Sequence, residues 1–119
     1  VHLATAANAQ SLTNRKSSIP DYLRKSGAIR LEQVARLREA TETISHPLLV
    51  CGDFNTPPRG ILYRRLSSEW EDAFAARGVG YGWTYPTRKP VLRIDYIFCG
   101  NGLRAASAAV PNVGSSDHR

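Results

Sequence analysis

Apolar and polar positions along the chain change rhythm several times, and each change marks an element. The run Leu48-Leu49-Val50-Cys51 is unbroken, the pattern of a strand buried on both faces, and the following Gly52-Asp53-Phe54-Asn55-Thr56-Pro57-Pro58 ends it. Upstream, Leu31, Val34, Leu37, Thr41 and Ile44 fall at spacings of three and four, which predicts a helix from about Ser26 to Ser45 with one buried stripe. Arg30, Arg36, Arg38, Glu39 and Glu42 cover its other faces, and Pro47 stops any continuation. Val1-His2-Leu3 reads as the end of a strand, and residues 8–20, rich in Asn, Ser, Thr and Gln, read as a loop.

After the double proline, Ile61, Leu62 and Leu66 predict a short helix that starts near Arg59-Gly60 and is lost by Ser67-Ser68. Trp70 to Phe74 reads as a covering turn or short helical piece with its aromatics turned inward. Gly78, Gly80 and Gly82 mark a loop, into which Trp83-Thr84-Tyr85-Pro86 carries aromatic residues. From Val91 to Cys99 strict alternation returns, Ile94, Tyr96 and Phe98 against Arg93, Asp95 and Ile97, which predicts a strand. Gly100-Asn101-Gly102 carries hairpin-turn chemistry. The alanine-rich run Leu103 to Val110 fits a strand or a helix, and its place directly after that turn favours a strand. Helices inserted between strands, with a hairpin, give a mixed α/β layout without internal repeats. No glycine-rich dinucleotide motif or P-loop is present, so a nucleotide cofactor has no support.

Composition narrows this further. The 119 residues suffice for one small domain, and 42% hydrophobic with 22% charged residues exclude a disordered chain. No apolar run approaches the roughly 20 residues that span a bilayer, and no secretory signal pattern opens the chain. With no methionine and an apolar first segment, the chain is expected to be a piece of a longer one. The compartment is open, cytoplasmic or extracytoplasmic behind an upstream anchor. The net charge of +6, mostly from arginine, favours an anionic partner such as a phosphate ester, nucleic acid or anionic lipid. The basic doublets Arg15-Lys16, Arg24-Lys25, Arg64-Arg65 and Arg88-Lys89 are scattered, and each alone fits a solvated face. Cys51 and Cys99 each sit in an apolar strand-like run and read as buried free thiols, with a bridge between them left open.

Candidate chemistry lies at the strand ends. Asp53 with Asn55, Asp95, and Asp117 with His118 each stand at or beside one. Catalytic groups project from rigid elements into a cleft in this way, but Gly52-Asp53 is equally compatible with an ordinary turn in which Asn55 makes Asx-type hydrogen bonds. Asp95, in an otherwise apolar strand, needs a histidine, an arginine or a metal nearby, because an unpaired buried carboxylate is costly. An ion pair with Arg93 or another arginine is the default expectation for Asp95 in isolation.

In this order, Gly52-Asp53-Phe54-Asn55, Arg93-Ile94-Asp95-Tyr96-Ile97-Phe98 and Ser116-Asp117-His118-Arg119 resemble the endonuclease/exonuclease/phosphatase superfamily, the DNase-I-like metal-dependent phosphoesterases. Val1-His2-Leu3 is similar to that family's mid-domain histidine strand, and Arg30-Leu31-Glu32-Gln33 to its arginine-and-glutamine helix. The resemblance covers residues 1–119 but only the C-terminal half of the family's domain, with the last strand missing. It implies half of a four-layer α/β/β/α sandwich, a mixed or antiparallel sheet with helices on the outer face. The first half, with the glutamate that binds the metal directly, is not in the chain.

For the site the resemblance implies that Asp53 accepts a proton from the attacking water and that Asn55 orients that water or a phosphoryl oxygen. His118 would contact the scissile phosphate, Asp95 would fix its tautomer, and Asp117 would face the metal, directly or through water. His2 would be a second phosphate contact. Mg²⁺ is the implied ion, with Mn²⁺ as a substitute, because hard oxygen ligands suit both. The implied activity is hydrolysis of a phosphate ester by the intact protein, the present chain alone being inactive. The substrate is nucleic acid, a phospholipid or polyprenyl pyrophosphate, or a soluble phosphate ester. The motifs look more like bacterial members of broad or unassigned substrate than like abasic-site repair nucleases. The alternative is an inactive phosphate- or nucleic-acid-binding remnant of the same fold.

Overall fold

A computed structural model of the chain describes residues 19–112 and 114–119. The long helix α1 runs Ile19–Glu42, starting well before Ser26. Pro20 falls in its first turn, where the missing N–H costs no hydrogen bond, so it opens the helix where the sequence read the end of a loop. The expected stripe is present at Val34, buried, with Leu31 and Leu37 packed beside it. Ile44 is not part of it, because the chain turns after Glu42, with the Ile44 N–H donating to the Thr41 carbonyl (3.0 Å). The strand expected at Val1-His2-Leu3 and the loop at residues 8–18 lie outside the described residues.

Strand β1 (Leu48–Asp53) pairs antiparallel with β3 (Asp95–Gly100), and β2 (Glu71–Asp72) pairs with the other side of β3, giving the order β1-β3-β2. Between them lie α2 (Ile61–Ser67) and the short α3 (Ala73–Arg77). The register runs from Leu48 opposite Gly100 to Asp53 opposite Asp95. Residues directly opposite share a face. Val50, Tyr96 and Phe98 therefore point one way and join Val34, Phe54, Leu62, Leu66 and Trp70 in the core. Phe54 meets Phe98 and Tyr96 edge-on at centroid distances of 5.4 and 5.8 Å, the favoured geometry for aromatic pairs. At Gly100 a side chain has no room, since a Cβ would lie 2.6 Å from Trp70 Cδ1.

The opposite face carries Leu49, Cys51, Asp53, Asp95, Ile97 and Cys99. Leu49 is 58% and Ile97 53% exposed, so β1 is buried on one face rather than two. Helices α1 and α2 pack on the other face, through Val34, Leu62 and Leu66. Cys99 is buried as expected, Cys51 is exposed, and no disulfide joins them. The Gly100–Leu103 turn forms, with positive φ at Asn101 and Gly102 and a 3.1 Å hydrogen bond from the Leu103 N–H to the Gly100 carbonyl. No strand follows it from Leu103 to Val110. Alanines offer little surface for cross-strand pairs, which is where sheet stability comes from.

A buried ion pair ties these parts together. Arg93 Nη1 lies 2.7 Å from Asp72 Oδ2 and 3.0 Å from Oδ1, with both side chains under 9% exposed. Asp72 also caps α3, accepting from the Phe74 and Ala75 N–H groups (3.0 and 3.1 Å), and accepts from the Tyr63 hydroxyl (2.8 Å). The guanidinium packs against the Tyr63, Phe74 and Tyr96 rings, 4.7 Å from the Tyr96 centroid. Burial pulls the Arg93 pKa down, but bonding to Asp72 outweighs it and leaves the group firmly charged.

Replacing Asp72 by alanine strands this buried cation and uncaps α3. Urea denaturation is expected to show a loss of about 3–5 kcal/mol for Asp72→Ala, and a much smaller loss for the double variant Asp72→Leu/Arg93→Met, which removes both charges. A loss below about 1 kcal/mol for the single variant would show that the pair does not hold the fold.

Candidate active site

The register places the last residue of β1, Asp53, directly opposite the first residue of β3, Asp95. Backbone pairing continues one step beyond, where the Phe54 N–H donates to the Ile94 carbonyl at 2.9 Å. Two carboxylates thus emerge side by side on the sheet face away from the core. Asp53 is held by its own turn: Oδ1 accepts from the Asn55 N–H (2.8 Å) and Oδ2 from Asn55 Nδ2 (3.1 Å). Asn55 has φ 47°, a left-handed conformation that asparagine tolerates well. The Asx-type turn is therefore real, with Asp53 rather than Asn55 as acceptor, and it orients the carboxylate and the amide together. Arg30 Nη1 donates to the Asn55 carbonyl at 2.6 Å, so this arginine buttresses the turn instead of covering an outer helix face.

His118 arrives from a segment with no regular structure, held by the Thr84–Thr87 stretch. The Thr87 N–H donates to the Asp117 carbonyl and Thr87 Oγ1 to the Ser116 carbonyl, both at 2.8 Å. The Arg119 N–H donates to the Thr84 carbonyl (2.8 Å), and the Arg119 guanidinium returns to the Thr87 carbonyl (2.8 Å). The imidazole lies 4.7 Å from the Tyr85 ring, with Nδ1 2.9 Å from Asp95 Oδ2. Asp95 is thus partnered by His118. The arginine expected for it, Arg93, is committed to Asp72.

Thr84, buried at 4% exposure, is the residue that sequence reading missed. Its Oγ1 accepts from the Ile94 and Asp95 N–H groups (3.2 and 3.3 Å) while its carbonyl holds Arg119, so one side chain and its backbone set both halves of the Asp95–His118 pair. The only sequence signal was a threonine inside the aromatic run Trp83-Thr84-Tyr85-Pro86, which reads as loop.

Partial burial pulls the His118 pKa down. The hydrogen bond and charge of Asp95, helped by Asp53 and Asp117, outweigh that, and the net shift is upward from the ordinary histidine value. Asp53, Asp95 and His118 each offer a ligand atom, and these atoms lie within 4.8 Å of one another. Two carboxylates and an imidazole at that spacing suit a divalent cation. Asp117 stands outside this trio, exposed, with Oδ1 3.4 Å from Ser116 Oγ. His2 lies outside the described residues. The cluster can accept a proton through a carboxylate, present an imidazolium to an anion, and help to hold a metal ion, which are the needs of phosphate-ester hydrolysis.

No curated protein and no solved structure matches the chain. The profile of the Endonuclease/Exonuclease/phosphatase family matches residues 4–118. That family consists of hydrolases of phosphate esters, typically dependent on a divalent metal. With nearly its whole length matched, and with an Asp-Asp-His cluster at the end of its sheet, the chain belongs to the Endonuclease/Exonuclease/phosphatase family.

Proposed function

We propose that the Asp53–Asp95–His118 cluster is the hydrolytic centre of a metal-dependent phosphoesterase. The observation that carries this reading is the 2.9 Å Nδ1–Asp95 bond of His118 at the same sheet end as Asp53. Asp53 takes the proton of the attacking water, whose oxygen bonds to phosphorus as the ester oxygen leaves. Asn55, fixed against Asp53, orients that water or a phosphoryl oxygen. Asp95 holds Nδ1 protonated, so that Nε2–H of His118 faces the scissile phosphate and offsets its charge. His2 is a second phosphate contact in this reading.

Asp117, with the carboxylates of the cluster, would hold Mg²⁺ or Mn²⁺. The ion would supply neutralisation of charge on the phosphoryl oxygens. Residues 1–119 are, in the same proposal, the C-terminal half of a four-layer α/β/β/α sandwich. The exposed Leu49, Cys51 and Ile97 face supports this, because a second sheet packed there would bury it.

In the intact protein with Mg²⁺, Asp53→Ala and His118→Ala are each expected to lower turnover of phosphate esters by about 10²–10⁴-fold while the circular dichroism spectrum stays that of the parent. Variants within a few-fold of the parent would remove these residues from the mechanism. An inactive parent that still binds phosphate esters would turn the reading to the binding remnant.

In metal-free protein, the His118 imidazole signals followed by NMR are expected to titrate above the ordinary histidine range, and Asp95→Asn to bring them back down. Because the folded-state pKa is raised, the contribution of this pair to stability is fully present below the unfolded-state pKa and is lost as pH rises through the folded one. A His118 titration that Asp95→Asn leaves in place would show that the pair does not set the imidazole charge.

A further inference from the structure

The loop after α3 is built on glycines alternating with large apolar residues, Gly78-Val79-Gly80-Tyr81-Gly82-Trp83. Its apolar side chains face water: Val79 is 93%, Tyr81 76% and Trp83 38% exposed. This is not a slack loop. Phe74 is clasped between Gly78 and Gly82, where a Cβ would meet opposite edges of the ring at 2.5 and 2.3 Å. The same ring packs against the buried Arg93 guanidinium (5.5 Å). The Tyr81 and Trp83 rings stack at 4.5 Å and 11°, which holds them out as one unit.

The patch continues across the neighbouring backbone. The Thr84 and Tyr85 N–H groups both donate to the Leu92 carbonyl (2.7 and 3.0 Å), which sets Leu92 and Val91, 42% and 60% exposed, beside the loop. Pro90 joins Val79, Tyr81 and Trp83 in lining a groove of about 420 Å³. Between the two segments, the exposed turn carries Arg88 and Lys89. Tyr85, on this same hairpin, is the residue whose ring meets His118.

We propose that Val79, Tyr81, Trp83, Val91 and Leu92, with Arg88 and Lys89, form a surface that docks the protein on an anionic lipid–water interface, so that its phosphate-ester substrate is one held in a membrane. The inference rests on the hydrolytic reading of the neighbouring site. Three exposed aliphatic side chains beside a Tyr–Trp pair, with cations at the edge, match the composition that membrane interfaces select: aliphatics for the acyl boundary, aromatics for the headgroup level, and Lys and Arg for anionic headgroups. A single-stranded nucleic acid would use the aromatic rings and the cations but gives no purpose to Val79, Val91 and Leu92. The charge of +6 has the sign that an anionic membrane attracts.

Flotation of the full chain with phosphatidylcholine vesicles, with and without phosphatidylglycerol, tests this and separates bound protein from any that self-associates, which stays at the bottom. The parent is expected to float with the phosphatidylglycerol vesicles. The variant Val79→Asp/Tyr81→Ser should lose about tenfold or more in partitioning, and Arg88→Glu/Lys89→Glu should lose the preference for anionic vesicles. In the intact enzyme, Val79→Asp/Tyr81→Ser should slow hydrolysis of a vesicle-embedded phosphate ester and leave a soluble one untouched. Flotation of that variant equal to the parent, or absence of parent flotation, overturns the proposal. So does parent binding to single-stranded DNA with no binding to vesicles. Asp53→Ala separates the two readings: it should float like the parent. A parent that floats but hydrolyses no phosphate ester would sink the catalytic assignment and leave the docking surface standing.

Discussion

The register between β1 and β3 is the constraint on which the other features depend. A slip of one residue would turn Val50 and its neighbours out of the core, because side chains alternate with period two. Burial of Val50, Tyr96 and Phe98, all under 5% exposed, therefore selects one pairing. That pairing sets Asp53 against Asp95 without either carboxylate contributing to the choice. The placement of the two carboxylates at the sheet end is a by-product of where the hydrophobic residues must go.

A second layer of control comes from what keeps Arg93 away from Asp95. The two are neighbours on the chain and of opposite charge, and a pair between them would tie up the carboxylate. Asp72 prevents it by offering Arg93 a buried, bidentate-like contact among three rings, on the core side of the sheet. With the guanidinium withdrawn, Asp95 meets the imidazole that the Thr84–Thr87 stretch delivers. The cap of α3, the cation–π packing and the pairing of His118 are thus linked through two aspartates that sort their partners by face.

The sequence made much of this legible. β1, α2 and the turn at Gly100–Gly102 follow from apolar period and turn chemistry, and the family follows from Gly52-Asp53-Phe54-Asn55, Asp95 and Asp117-His118 in order. The piece at Trp70–Phe74, expected as a turn or short helix, instead pairs with β3 as β2 before α3 begins at Ala73. Most of what the sequence did not make legible shares one physical cause: long-range partners. Arg30 looks like a surface arginine until the turn at Asn55 comes within 2.6 Å of it. Thr84 looks like loop until the Ile94 and Asp95 amides reach its hydroxyl. Cys51 looks buried because period alone cannot say that α1 and α2 both cover the Val50 face. The strand expected at Leu103–Val110 fails for a local reason, since alanines carry a β pattern without the surface that rewards pairing.

The charge state of His118 bears on how the proposed site divides its labour. With Nδ1 bonded to Asp95, His118 has one ring nitrogen, Nε2, left for a partner, and Asp95 shifts the imidazole toward the protonated form, which has no lone pair for a metal. The same residue cannot at once serve as phosphate contact and as metal ligand. A hard cation such as Mg²⁺ gains little from an imidazole and much from carboxylate oxygens. The Nδ1–Asp95 bond therefore favours a division in which the histidine faces the phosphate and the carboxylates face the ion. Leu49, Cys51 and Ile97, on the same sheet face, sharpen that division whenever something covers them, because excluding water there strengthens every interaction between the charges at the end of the sheet.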